Sequence, residues 1–88
     1  MANGICYLIG AGPGDPRLLT LRGHQILSCA DVVVYDYLCN PRILRWARPD
    51  AEKILAGKRS RNPSIAQEET NALLVDRVRR GLVVARLK

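Results

Sequence analysis

Short runs rich in β-branched residues alternate along this chain with stretches that carry helical spacing. Few folds satisfy that alternation. The first run, Ile5 to Ile9, is compact and closes on Gly10, the mark of a buried strand. Residues 18–30 then place Leu19, Gly23, Ile26, Leu27 and Ala30 at helical intervals, with Asp15-Pro16 or Thr20 able to open the segment. Asp31 leads into Val32-Val33-Val34-Tyr35, a second strand by composition. Asn40-Pro41 reads as the cap and first turn of a helix over residues 42–48, broken by Pro49-Asp50. Residues 52–56 form a weaker third strand ended by Gly57. Ser64 and Gln67 then fit a capping box, opening a helix that carries Leu73, Leu74 and Val78 to a stop at Gly81. Residues 82–87 make a fourth strand. The order βαβαβαβ predicts the α/β class, a mainly parallel β-sheet flanked by helices.

Length and charge narrow what such a sheet can serve. With 88 residues the chain makes one small domain at most, burying roughly 60–65% of its unfolded surface. It contains no apolar run of about 18 residues to span a membrane. The opening Met1 to Asn3 lacks the positive charge of a signal peptide, so the expected compartment is the cytoplasm. Cys6, Cys29 and Cys39 are odd in number and form no CxxC pair, which predicts free thiols and no metal site. The formal net charge of +6 points to an anionic partner. No aromatic series interleaves the basic residues as nucleic-acid stacking would require.

Ligands of an open parallel sheet bind outside the carboxyl ends of its strands. Residues 10–15, 36–40 and 57–63 follow three of those ends and share one edge. The first loop, Gly10-Ala11-Gly12-Pro13-Gly14-Asp15, lets backbone approach a ligand closely. Asp15 stands where a dinucleotide fingerprint needs glycine, and Pro13 removes an amide that a pyrophosphate would use. By spacing alone this loop is either a ligand loop or a tight turn. Asp36, at the end of the second strand, suits a turn cap, a ribose contact or a base. Lys58, after Gly57, suits a solvated basic turn or an acid whose pKa its neighbours lower. His24, Trp46, Tyr7 and Tyr35 read as surface or packing residues.

Taken together, Tyr7-Leu8-Ile9-Gly10-Ala11-Gly12-Pro13-Gly14-Asp15-Pro16, Leu18-Leu19-Thr20-Leu21 and Ala30-Asp31-Val32-Val33-Val34-Tyr35-Asp36 resemble the opening of the tetrapyrrole C-methyltransferases, most closely those acting on uroporphyrinogen III. Gly57-Lys58-Arg59, Gln67-Glu68-Glu69, Asn71 and Val83-Val84-Ala85-Arg86-Leu87-Lys88 continue the resemblance in register. It implies the N-terminal domain of a two-domain fold with the active site in the cleft between domains. It also implies S-adenosyl-L-methionine as cofactor, and methylation of uroporphyrinogen III at C2 and C7 to precorrin-2, the precursor of sirohaem and cobalamin. By motif position Gly12 and Pro13 match the cofactor loop, Asp36 the proton acceptor and Lys58 the proton donor. A cationic sulfonium without phosphate suits a glycine loop with poor phosphate features. A substrate with eight carboxylates suits a basic domain better than nucleic acid does.

On the same resemblance a Gly-Gly-Asp-Pro cofactor loop and a second domain would follow Lys88. Residues 1–88 are then a partial N-terminal domain, inactive by themselves, of an enzyme that is a homodimer at full length. Tyr37 stands where the family has arginine, Arg61 and Pro63 where it has glycine and histidine, and Ala66 where proline is common. These departures bear on loop shape and substrate contacts. The alternatives are a methyltransferase of the same fold acting on a later precorrin, or a nucleotide-binding α/β module, which Asp15 disfavours.

Overall fold

The computed structural model describes residues 3–10, 19–36, 39–56 and 61–88. Their order is β1 (Ile5–Ile9), α1 (Leu21–Cys29), β2 (Val32–Tyr35), a 3-10 helix (Pro41–Trp46), β3 (Glu52–Leu55), α2 (Pro63–Arg79) and β4 (Val83–Leu87). All three strand pairings are parallel, in the spatial order β1-β4-β2-β3. β1 and β2 therefore never touch as ladder partners; β4, last of these in the chain, lies between them. Among the described residues no helix is long and apolar enough to cross a membrane.

Both faces of the sheet are covered, which is why its strands read as nearly continuous apolar runs. α1 and the 3-10 helix close one face, where Leu27 and Ile43 pack with Ile9, Val33, Ala85 and Leu87. α2 closes the other, bringing Leu73, Leu74 and Val78 against Val32, Val34 and Val84. The change of face has a chiral cause. Steps from β1 to β2 and from β2 to β3 run one way across the sheet, whereas the step from β3 to β4 runs back. A right-handed crossover must then pass over the opposite face.

Local chemistry explains where the helices begin and end. Thr20, one of the two openings expected, caps α1 by accepting a hydrogen bond from the Gly23 amide at 3.0 Å. A Cβ on Gly23 would lie 3.0 Å from the Ile9 side chain, so the glycine lets α1 sit close on β1. The expected helix over residues 42–48 is instead 3-10 over Pro41–Trp46. Asn40 caps it by accepting from the Arg42 amide at 3.0 Å, and Ala47 bonds back to Leu44 at 3.1 Å. Pro49 disfavours helical dihedrals at Arg48, leaving too little length for an α-helix. The expected capping box at Ser64 and Gln67 is also corrected. Asn62 caps α2, because Pro63 with its preset φ and missing N–H occupies the first helical position. Ser64 gives its amide to Asn62 Oδ1 at 2.9 Å, and Gln67 turns to Asn71 one helical turn on. At the other end Gly81 has φ 83, the left-handed conformation that stops α2 and turns the chain into β4.

At the amino edge one residue, Asp31, ties β2, β3 and β4 through its backbone and its carboxylate. Asp31 Oδ2 accepts the Val83 N–H at 2.8 Å and Oδ1 accepts from Arg48 at 3.1 Å. Its own N–H donates to the Val83 carbonyl at 2.8 Å, and its carbonyl accepts from the Glu52 amide at 3.0 Å. The Val83 N–H holds the Asp31 carboxyl below the usual carboxylate range, and Arg48 adds to this against the cost of desolvation. A depressed carboxyl contributes stability that is complete above about pH 4 and is lost as pH falls through the folded-state value. Asp31→Asn keeps an oxygen for Val83 but loses the charge. It is expected to lower the urea midpoint at neutral pH and to flatten the decline in midpoint toward acid. Denaturation curves from about pH 7 down to about pH 3 test this; an unaltered acid slope would assign the effect to other carboxylates.

A candidate active site at the carboxyl edge of the sheet

Because the sheet is parallel, Ile9, Tyr35, Leu55 and Leu87 all end on one edge, and the amide of Lys88 extends the ladder to the Ile9 carbonyl at 2.9 Å. The chain leaves β2 toward the face of the 3-10 helix and returns from β3 on the face of α2. Neighbouring strands that send the chain to opposite faces mark the switch point at which such sheets bind ligands. Asp36 is the first residue beyond β2 at that point.

Asp36 is held by its backbone and by its side chain. Its carbonyl accepts the Cys39 amide at 3.0 Å, turning the chain toward the 3-10 helix. Alternation along β2 puts its side chain on the α2 face with Val32 and Val34. There Oδ2 meets Arg86 Nη2 at 3.6 Å, with side-chain exposures of 31% for Asp36 and 9% for Arg86. Arg86 lies in register with Leu8 on one side and Val34 on the other. Its Nη1 donates to the Leu87 carbonyl at 2.7 Å. Among the described residues the buried polar or charged ones are Thr70 and Arg86. Thr70 bonds within α2, to the Ala66 carbonyl. Arg86 is the buried charge, and it faces the expected site.

Sequence reasoning passed over Arg86 as a strand residue. The signal was available: a charged residue inside an apolar run must find a partner once the strand is buried. The calls on Gly12, Pro13 and Lys58 lie outside the described residues. Gly10, which leads from β1 toward Gly12, is on the edge, and a Cβ added there would meet nothing within 4 Å among the described residues. Packing against the described residues therefore does not require a glycine at Gly10.

The neighbouring thiols do not supply a nucleophile. Burial pushes the Cys39 thiol above its ordinary range, the Asp36 carboxylate adds to this and Arg86 opposes it. Burial likewise raises Cys6. Both therefore stay protonated near neutrality. Cys6, Cys29 and Cys39 are all free, and no cluster of His, Cys, Asp or Glu among the described residues could hold a metal ion. His24 packs edge-on to Trp46 with ring centroids 5.0 Å apart, in a packing role away from the edge. A groove of about 750 Å³ between β3 and α2 is lined by Ile54, Thr70 and Leu73 among others, and Asp36 is not part of it.

Removing the Asp36 carboxylate should therefore be felt in stability as well as chemistry. Among the described residues, Asp36→Ala leaves the buried guanidinium with the Leu87 carbonyl as its polar contact. A loss of about 1–2 kcal/mol is expected, since water can still reach the vacated position. Asp36→Asn, which retains an acceptor oxygen, should lose less. Chemical denaturation of both variants makes the comparison, and equal stability of Asp36→Ala and the parent chain would show the ion pair to be inert.

A family model for Tetrapyrrole (Corrin/Porphyrin) Methylases matches residues 6–88. Over 88 residues the chain is 52% identical to a uroporphyrinogen-III C-methyltransferase of Bacillus subtilis, covering all of this chain and 18% of that relative. Its fold is similar to uroporphyrin-III C-methyltransferase of Thermus thermophilus complexed with S-adenyl homocysteine (TM-score 0.76, 44% identity, 97% of this chain and 32% of that one). A cobalt-precorrin-4 methyltransferase is also similar (TM-score 0.78, 36% identity, 93% of this chain and 32% of that one). The chain thus spans about a fifth of the length of the curated relative and about a third of each solved chain.

Proposed function

The chain belongs to the tetrapyrrole (corrin/porphyrin) methylase family, and on that footing we propose that its residues form one wall of an S-adenosyl-L-methionine-dependent uroporphyrinogen-III C-methyltransferase. The reaction proposed is methylation at C2 and C7, giving precorrin-2 on the route to sirohaem and cobalamin. The observation that carries it is Asp36, a carboxylate at the switch point of the parallel sheet, partly open at the edge and paired behind to a buried arginine. Its motif position supports the role of proton acceptor proposed for it.

The cofactor suits the residues at this edge. Its sulfonium supplies an electrophilic methyl group and carries a positive charge without phosphate. The glycine-rich sequence after β1, with Pro13 and Asp15 in it, and the Asp36 carboxylate fit such a group better than they fit a dinucleotide. Gly12 and Pro13 would hold it. Each methyl transfer leaves a quaternary carbon, because the pyrrole carbon attacked already bears a side chain, so one proton must leave elsewhere on the macrocycle. Asp36 takes up that proton, and Lys58, protonated at Nζ, assists the accompanying tautomeric shift by giving a proton at one position as another is removed. The net charge of +6 attracts a substrate bearing eight carboxylates.

A later precorrin is the second reading, favoured by the likeness to a cobalt-precorrin-4 methyltransferase. Mass analysis of the product formed from uroporphyrinogen III separates the two. For the roles, the test is Asp36→Asn and Lys58→Met in the full-length enzyme that carries these residues. General acid–base groups typically contribute about 10²–10⁴-fold. Asp36→Asn should therefore slow single-turnover methylation by roughly two orders of magnitude or more, and Lys58→Met by a similar or smaller factor, with cofactor affinity retained. Near-parental methylation by both variants would make these positions structural.

A further inference from the structure

We infer that Arg86 is a positioning residue, whose buried guanidinium fixes the Asp36 carboxylate at the sheet edge for the proton transfer proposed above. The inference rests on that reading of Asp36. Arg86 is 8% exposed and occupies the central strand between Leu8 and Val34, where an apolar side chain would pack without any cost of burying charge. What the arginine provides there is a planar group that can be anchored at one end and present a cation at the other. The anchor is the 2.7 Å bond from Nη1 to the Leu87 carbonyl. The presented end is Nη2, 3.6 Å from Asp36 Oδ2.

That distance matters. It is an ion-pair separation rather than a short hydrogen bond, so the arginine draws the carboxylate back against the sheet without taking up an oxygen lone pair in a tight bond. Asp36 keeps about a third of its side-chain surface at the edge, where a substrate proton could arrive. Its other restraint, the Cys39 amide on its carbonyl, fixes the backbone and leaves the side-chain torsions free. Arg86 is the described contact that fixes those torsions. Misplacing a reacting group by about 1 Å can cost on the order of 100-fold in rate.

The test is a double-mutant cycle in the full-length enzyme, read by single-turnover methylation, cofactor affinity and thermal melting. Arg86→Gln is expected to slow methylation by about 10- to 100-fold with cofactor affinity unaltered. Placed on Asp36→Asn it should cause no further loss, because there is then no carboxylate to position. Arg86→Lys keeps a cation at the same depth and should recover most of the rate, its residual loss also vanishing on Asp36→Asn. A slow Asp36→Asn beside a fast Arg86→Gln would overturn the role of Arg86 alone. Equal slowing by Arg86→Gln in both backgrounds would overturn it too, placing the arginine in some other task. Should Arg86→Gln fail to fold, the lysine variant decides the matter: a loss of equal size in both backgrounds counts against the inference. A fast Asp36→Asn would instead sink the underlying assignment of Asp36.

Discussion

β1 and β2 are neighbours in the chain yet strangers in the sheet; each is held in the ladder through β4. Five register pairs join β4 to β1 and three join it to β2. Val84, Ala85 and Leu87 are almost wholly removed from solvent, as central-strand residues covered on both faces should be. A parallel pairing between residues so far apart in sequence bears a large loop-closure cost before any burial offsets it. The strand that meets that cost also delivers a cation to the middle of the carboxyl edge. Topology and electrostatics at the site are thus one fact: Arg86 meets Asp36 because β4 lies beside β2.

The two ends of the sheet handle charge differently. At the amino edge Asp31 is shared between the Val83 amide and Arg48, and Glu52 is clasped by Arg77 from α2 through contacts of 2.8 and 3.2 Å. The hydrogen bonds from Arg77 hold the Glu52 carboxyl below its ordinary range. Those pairs lock β2, β3, β4 and α2 together. At the carboxyl edge the single described ion pair is longer, at 3.6 Å, and its arginine is nearly buried.

Much of the fold was legible in the sequence, for reasons that can be named. Short runs between turn signals marked all four strands to within a residue, most clearly in β2 and β4, where burial on both faces leaves no alternation to misread. Thr20 and Gly81 announced a helix start and stop through their own chemistry. Ser64 misled because a capping box can be written by residues that already lie inside a helix. The decisive local features were Asn62 and Pro63, one step earlier. Strand order was not legible, since hydrophobic period says which face a residue takes and nothing about its lateral neighbour. The site divides in the same way. Asp36 could be placed at an edge from the alternation of elements, but its roles stayed open until a family resemblance narrowed them. Arg86 needed the strand order before its partner could be seen.

The pairing of Ile5 with Val83 also has a meaning during synthesis. A ribosome adds about 5–20 residues per second, so β1 emerges on the order of 4–16 s before the strand that completes its ladder. Throughout that interval Ile5-Cys6-Tyr7-Leu8-Ile9 is an uncharged, β-prone segment with no native partner. Leu8 keeps 68% of its surface exposed even after β4 arrives. The segment Ile5–Ile9 is thus made well before the strand that completes its ladder, and its backbone pairing waits on β4.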